Sequence, residues 1–121
     1  MIDHPPTITV QHDAGGSVGE YLNRIHDAKA VHALVEIDGD CFSACTLYLG
    51  LPRDHVCITH HARLGFHKTS ELMGVSFDDV LLNHYPPVIR NWLENTGGLT
   101  HNLRYLEYPE LKSLFKTCEG Q

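Results

Sequence analysis

Basic residues are scarce in this chain: nine Lys and Arg stand against fifteen Asp and Glu, a formal charge of −6 with histidine neutral. That balance argues against a nucleic-acid partner, because phosphate binding needs a basic footprint. Long apolar runs are missing too. No stretch approaches the ~20 consecutive apolar residues of a membrane-spanning helix, so no span is expected. The 42% hydrophobic content is instead that of an ordinary soluble globule. No linker-like stretch interrupts the 121 residues, which predicts one domain over 1–121 around one core. Met1–Pro6 is short and polar and reads as no signal peptide. The four cysteines fit no zinc-ribbon spacing. They leave two disulfides, one disulfide or four buried thiols open, buried thiols being the ordinary case. No cofactor is expected.

What is present concentrates between Val35 and His67. Ala33 to Ile37 is an apolar run with branched aliphatic residues, halted by Asp38-Gly39-Asp40, and reads as a buried strand ending in a tight turn. Ser43 then opens a second apolar segment, Ala44 to Leu51, read as a helix. Serine is a favoured helix N-cap, the simplest role for Ser43. Strand, sharp turn, serine and helix are also the parts of a nucleophile elbow, which lifts a hydroxyl above the sheet edge and aims helix N-terminal N–H groups at it. Such an elbow needs small residues two before and two after the serine. Cys41 and Cys45 stand there, and the G-x-S-x-G motif is absent.

Upstream, Thr7 to Gln11 alternates β-branched residues and reads as a strand. It runs into His12-Asp13-Ala14-Gly15-Gly16-Ser17. Adjacent glycines there make a plain turn, or let backbone N–H groups approach a phosphate or an oxyanion. Ser17 and Glu20 have capping-box spacing, and Val18, Leu22 and Ile25 recur at helical intervals as far as Ala28. Strand, helix and strand make a β-α-β unit with parallel strands. Both loops then sit at carboxyl ends of strands, where α/β folds place their sites. On that geometry the Gly16 and Ala44 N–H groups flank the Ser43 hydroxyl as an oxyanion hole. After a short strand, His55 to His60, with His55 to Thr59 as its core, the extended piece Arg63 to His67 ends in the candidate base, His67. The last third reads as helical: a Ser76-capped helix kinked at Pro86-Pro87 and ended by Gly97-Gly98, then a helix from Pro109 to Phe115. Tyr85, Trp92, Tyr105 and Tyr108 read as core.

Three motifs together carry a resemblance. Gly15-Gly16-Ser17-Val18, Gly39-x-Cys41-x-Ser43-x-Cys45 and Gly65-Phe66-His67, with 27 residues from Gly16 to Ser43 and 24 from Ser43 to His67, resemble the proteolytic subunit of Clp protease and its periplasmic ClpP-like relatives in the crotonase-type superfamily. The resemblance covers Thr7 to His67. Cysteines on both sides of the serine, with V-C-I-T before G-F-H, are similar to a small bacterial group of ClpP-like proteins, mostly exported. The resemblance implies a truncated ClpP/crotonase-like α/β domain with a largely parallel sheet and flanking helices. It also implies a serine protease or related hydrolase with Ser43 as nucleophile and His67 as general base, a peptide or small ester substrate, a homo-oligomer, and a periplasmic or secreted location. The family's third catalytic residue, an Asp shortly before a Pro-Glu, has no counterpart between His101 and Glu110. Asn102 is the nearest polar substitute, with Asp78 and Asp79 as further acids. Asn can orient a histidine without stabilising its imidazolium as a carboxylate does. For an exported chain at least one disulfide is expected, Cys45 with Cys57 leading and Cys41 with Cys118 second.

Three functions therefore compete. The first is a serine hydrolase built on Ser43, His67, Gly16 and Ala44. The second is a binding domain that kept the frame and lost the acid. The third is a metal site drawn from His60, His61, His67 and Cys57 or Cys45. The third is opposed by geometry, since adjacent His60 and His61 on a strand point to opposite faces.

Overall fold

The computed structural model describes residues 5–69 and 75–119. The first four residues of the Met1–Pro6 stretch lie outside these. Among the described residues, five strands, β1 (Thr7–Asp13), β2 (Leu34–Phe42), β3 (Val56–Ile58), β4 (Arg63–Phe66) and β5 (Arg104–Glu107), form one mixed, mostly parallel sheet in the order β1-β2-β4-β5, with β3 also paired to β2. β1 (Thr7–Asp13) lies parallel to β2 (Leu34–Phe42). Between them runs α1 (Val18–Ala30), whose first turn is capped by the Ser17 hydroxyl accepting from the Glu20 N–H at 3.4 Å. Tyr21, Ile25 and Ala28 face inward from this helix, the spacing of one apolar stripe.

β2 is longer than the apolar run suggests, because it continues through Asp38-Gly39-Asp40 to Phe42. Each of the three residues has a sheet partner that makes this stable. A Cβ on Gly39 would lie 1.9 Å from the Gln11 carbonyl oxygen, so only glycine fits where β1 shifts register between Val10 and His12. Asp38 accepts from the Thr59 hydroxyl at 2.6 Å, and Asp40 accepts from Arg63 Nε at 3.0 Å on the neighbouring strand. Two short strands then share the other edge of β2. β3 (Val56–Ile58) pairs with Val35 to Ile37, and β4 (Arg63–Phe66) with Asp40 to Phe42, both parallel. The outer edge of β3 is met by the tail: Ile58 N–H donates to the Lys116 carbonyl, and Cys118 N–H donates to that of Ile58.

Four further features differ from the sequence expectation. The segment after β2, Ser43–Gly50, is a 3-10 helix. The Pro86-Pro87 region separates two helices, α2 (Asp78–His84) and α3 (Pro87–Asn95), instead of kinking one, as expected where proline removes an interior N–H. A fifth strand, β5 (Arg104–Glu107), pairs antiparallel with β4. The last helix, α4 (Tyr108–Leu111), is one turn long and starts at Tyr108.

The core lies between the sheet and the helical layer. Val35, Ile37 and Cys41 from β2, Leu64 and Phe66 from β4, and Leu47, Leu49, Leu81, Ile89 and Leu93 from the helical segments are all buried within one apolar cluster. Phe66 anchors the helical layer through ring contacts with Tyr85, at the end of α2, and Trp92 of α3, at 5.4 and 5.6 Å between centroids. Tyr105 departs from the core expectation. It is 43% exposed, and with Phe42 it brackets the Arg63 guanidinium, which lies 4.7 and 5.1 Å from their ring centres. Among the described residues, no helix is long and apolar enough to cross a membrane.

Candidate active site

β2 delivers Ser43 to the carboxyl end of the sheet. Phe42 is still extended, at φ −116° and ψ 150°, and Ser43 turns to φ +58°, a left-handed conformation uncommon for a residue with a Cβ. Ser43 is not the helix cap. That position belongs to Phe42, and no side chain caps the segment. The Ser43 hydroxyl is thus released from the structural role that best explains a serine at this place in the sequence. Its carbonyl is held from behind, accepting at 2.5 Å from the Thr46 hydroxyl, which lies 2.6 Å from the buried Tyr85 hydroxyl. Burial raises the Tyr85 pKa, so Tyr85 stays a neutral O–H donor.

The glycine loop meets this elbow directly. Gly15, at φ +93°, packs so closely that a Cβ on it would lie 2.8 Å from both Ser43 Cβ and the Phe42 carbonyl oxygen, and 3.0 Å from Ala44 N. Any larger residue at position 15 collides with the elbow backbone. The loop is shaped by Asp13, the last residue of β1. Its Oδ1 accepts from the Gly15 N–H at 2.8 Å and from the Tyr21 hydroxyl at 2.5 Å. Burial, reinforced by this carboxylate, pushes the Tyr21 pKa up to about 12. With the Gly15 N–H engaged by Asp13, the next one, on exposed Gly16, has no acceptor among the described residues. Ala44, whose N lies close to Gly15, is buried in the first turn of its helical segment, where N–H groups lack intrahelical acceptors.

β4 brings up the histidine. Phe42 pairs with Gly65, so the two parallel strands end side by side and His67 follows β4 as Ser43 follows β2. Gly65 is required at this crossing, since a Cβ there would lie 2.6 Å from Phe42 Cδ1. The His67 ring is half-buried, with Nδ1 against the carbonyl of Lys68. A carbonyl accepts from N–H, which fixes the tautomer with a proton on Nδ1 and leaves Nε2 as the basic nitrogen. The segment after His67 is pinned on both sides. Lys68 N–H donates to the Thr100 carbonyl at 2.7 Å, and the Thr69 N–H and hydroxyl donate to Asp78 at 2.7 and 3.0 Å.

Some expected pairings are not made. Among the described residues, no hydrogen bond joins Ser43 Oγ to His67. Asn102 is exposed, and its carbonyl accepts from Thr100 while its side chain takes no part at His67. Lys68 supplies the acceptor at Nδ1 that Asn102 was expected to supply. Asp78 is committed to Thr69. The cysteines pair differently from expectation: Cys41 with Cys45, and Cys57 with Cys118. The reason lies in the topology. The turn at Ser43 folds Cys45 back to 5.3 Å from Cys41 between Cα atoms, while β3 and the tail lie alongside each other and bring Cys57 and Cys118 to 4.9 Å. The metal reading loses its two sulfur ligands to these bonds, and among the described residues no group of three His, Cys, Asp or Glu side chains converges. Asp13, Tyr21 and Thr46 went unnoticed in the sequence. Only Asp13 left a signal there, as an Asx residue two before a glycine at a strand end.

No family model and no curated protein matches this sequence.

Proposed function

We propose that this chain is a ClpP-like serine hydrolase acting on peptides or small esters, in which Ser43 is the nucleophile and His67 the general base. The observation that carries the reading is the left-handed Ser43 at the end of β2, packed against the glycine loop and holding no capping bond. An L-residue kept in a sparsely populated conformation needs surroundings that over-determine it, and such residues cluster at functional sites. In the proposed reaction His67 Nε2 takes the Ser43 proton as Oγ attacks the carbonyl, and the N–H groups of Gly16 and Ala44 receive the developing oxyanion. The imidazolium then protonates the leaving group, and water, deprotonated by the same imidazole, cleaves the acyl–Ser43 ester to release the acid and restore the hydroxyl. The Lys68 carbonyl orients the imidazole but carries no full charge to stabilise imidazolium. Replacing the acid of a triad by a neutral orienting group lowers turnover by ~10⁴-fold, so slow hydrolysis of activated substrates is the expected activity. The two disulfides fit an exported, periplasmic or secreted protein.

One finding favours the second reading, a binding domain on the same frame: the Ser43 hydroxyl and His67 ring are not hydrogen-bonded. Catalytic hydrogen bonds are often long without substrate, and the hydrolase reading requires this one to close. Hydrolysis of a nitrophenyl ester by wild type, Ser43→Ala and His67→Ala decides between the two. Loss of turnover in both variants supports the hydrolase; equal background rates in all three support the binding domain.

A further inference from the structure

We infer that the Cys41–Cys45 disulfide is a positioning device that holds Ser43 in its left-handed conformation; in its catalytic consequence this rests on the hydrolase reading above. The two cysteines stand two residues before and two after Ser43, where a G-x-S-x-G elbow carries the small residues that let its two limbs pass closely. In this chain the limbs are joined covalently. A strand continuing straight would separate residues four apart by roughly 13 Å, and the Cα atoms of Cys41 and Cys45 are 5.3 Å apart. Phe42 is extended and Ala44 already lies in the helical segment, so the reversal falls on Ser43 alone. Both anchors are packed in the core. Cys41 and Cys45 are fully buried, and Cys41 is locked in the sheet opposite Asp13 of β1 and Leu64 of β4. The noncovalent restraints on the same residue, Thr46 to the Ser43 carbonyl and the packing of Gly15 against its Cβ, do not join the two limbs of the turn.

The test compares wild type with Cys41→Ala/Cys45→Ala, using Cys57→Ala/Cys118→Ala as a variant lacking a disulfide far from the elbow. The Ser43 13Cα and 13Cβ shifts and its HN–Hα coupling read the backbone, and the rate of fluorophosphonate labelling reads the hydroxyl. The expected result is that Ser43 leaves the left-handed region only in the Cys41/Cys45 variant, with labelling slowed by about a hundredfold, the scale of a misplaced reacting group. Unchanged Ser43 signals in that variant overturn the inference. An unreactive wild type sinks the hydrolase reading, while the Ser43 signals still decide this one. If the variant does not fold, Ser43→Gly is added to it, because glycine adopts this φ unaided. Restored folding supports the inference, and continued failure to fold overturns it.

Discussion

Ser43→Ala removes a hydroxyl that caps nothing, so it should abolish labelling and turnover while the melting temperature stays within about 2 °C of wild type, surface-type changes costing under ~0.5 kcal/mol. Gly15→Ala is the opposite case. Its Cβ would meet Ser43 Cβ and the Phe42 carbonyl at 2.8 Å and demand a positive φ, so both stability and reactivity should fall. The stability loss should be about 1–3 kcal/mol, the usual cost of such strain, read from urea midpoints. Tyr21 acts one contact further out. Tyr21→Phe deletes the bond to Asp13 that shapes the loop, worth about 1.5–3 kcal/mol for a hydrogen bond to a charged group, and should slow labelling without touching Ser43. With its pKa raised to about 12, Tyr21 favours the folded state fully below the ordinary phenol value of ~10. That contribution is lost as pH rises through 12, and a tyrosinate absorbance titration of wild type against Tyr21→Phe isolates the late step.

At the scale of elements, the two disulfides have different work. Cys57–Cys118 closes a separation of 61 residues and ties the tail beside β3, whereas Cys41–Cys45 spans four positions. In the chain-entropy model these are worth about 4 and about 2 kcal/mol respectively. Removing Cys57–Cys118 should therefore lower the urea midpoint more, and removing Cys41–Cys45 should disturb the site more. The elements were unequally legible in the sequence. β1, α1, the first half of β2 and β4 are readable because alternation, a capping box and branched aliphatic runs act locally. Asp38-Gly39-Asp40 was misread as a turn because its stability comes from Thr59, Arg63 and the close approach of Gln11, all distant in sequence. β5 was missed for the same reason. Arg104 to Glu107 has no strong strand pattern and is ordered by pairing with β4. The cysteine pairing depended on knowing that the chain reverses at Ser43 and that the tail returns to β3, neither of which spacing reveals.

Across the whole molecule, acid should weaken the fold through its sheet-face carboxylates. Hydrogen bonds from Arg63 hold Asp40 below its ordinary pKa, and the Thr59 hydroxyl does the same for Asp38. Depressed carboxylates contribute stability that is complete above the ordinary value near ~3.9 and is lost as pH falls through their lowered folded values. Asp40→Asn should flatten this acid limb in urea midpoints measured across that range. The site itself was half legible. The serine, the glycine loop and the histidine stand in neighbouring loops at one sheet edge, while the orienting carbonyl of Lys68 and the Asp13–Tyr21 brace depend on the folded backbone. The central claim is that Ser43 is a nucleophile, and its most direct test is fluorophosphonate labelling of the disulfide-intact protein followed by peptide mass spectrometry. The account predicts one adduct, on the peptide bearing Ser43, and none in Ser43→Ala; no adduct on Ser43, or equal labelling of the Ser43→Ala protein, would contradict it.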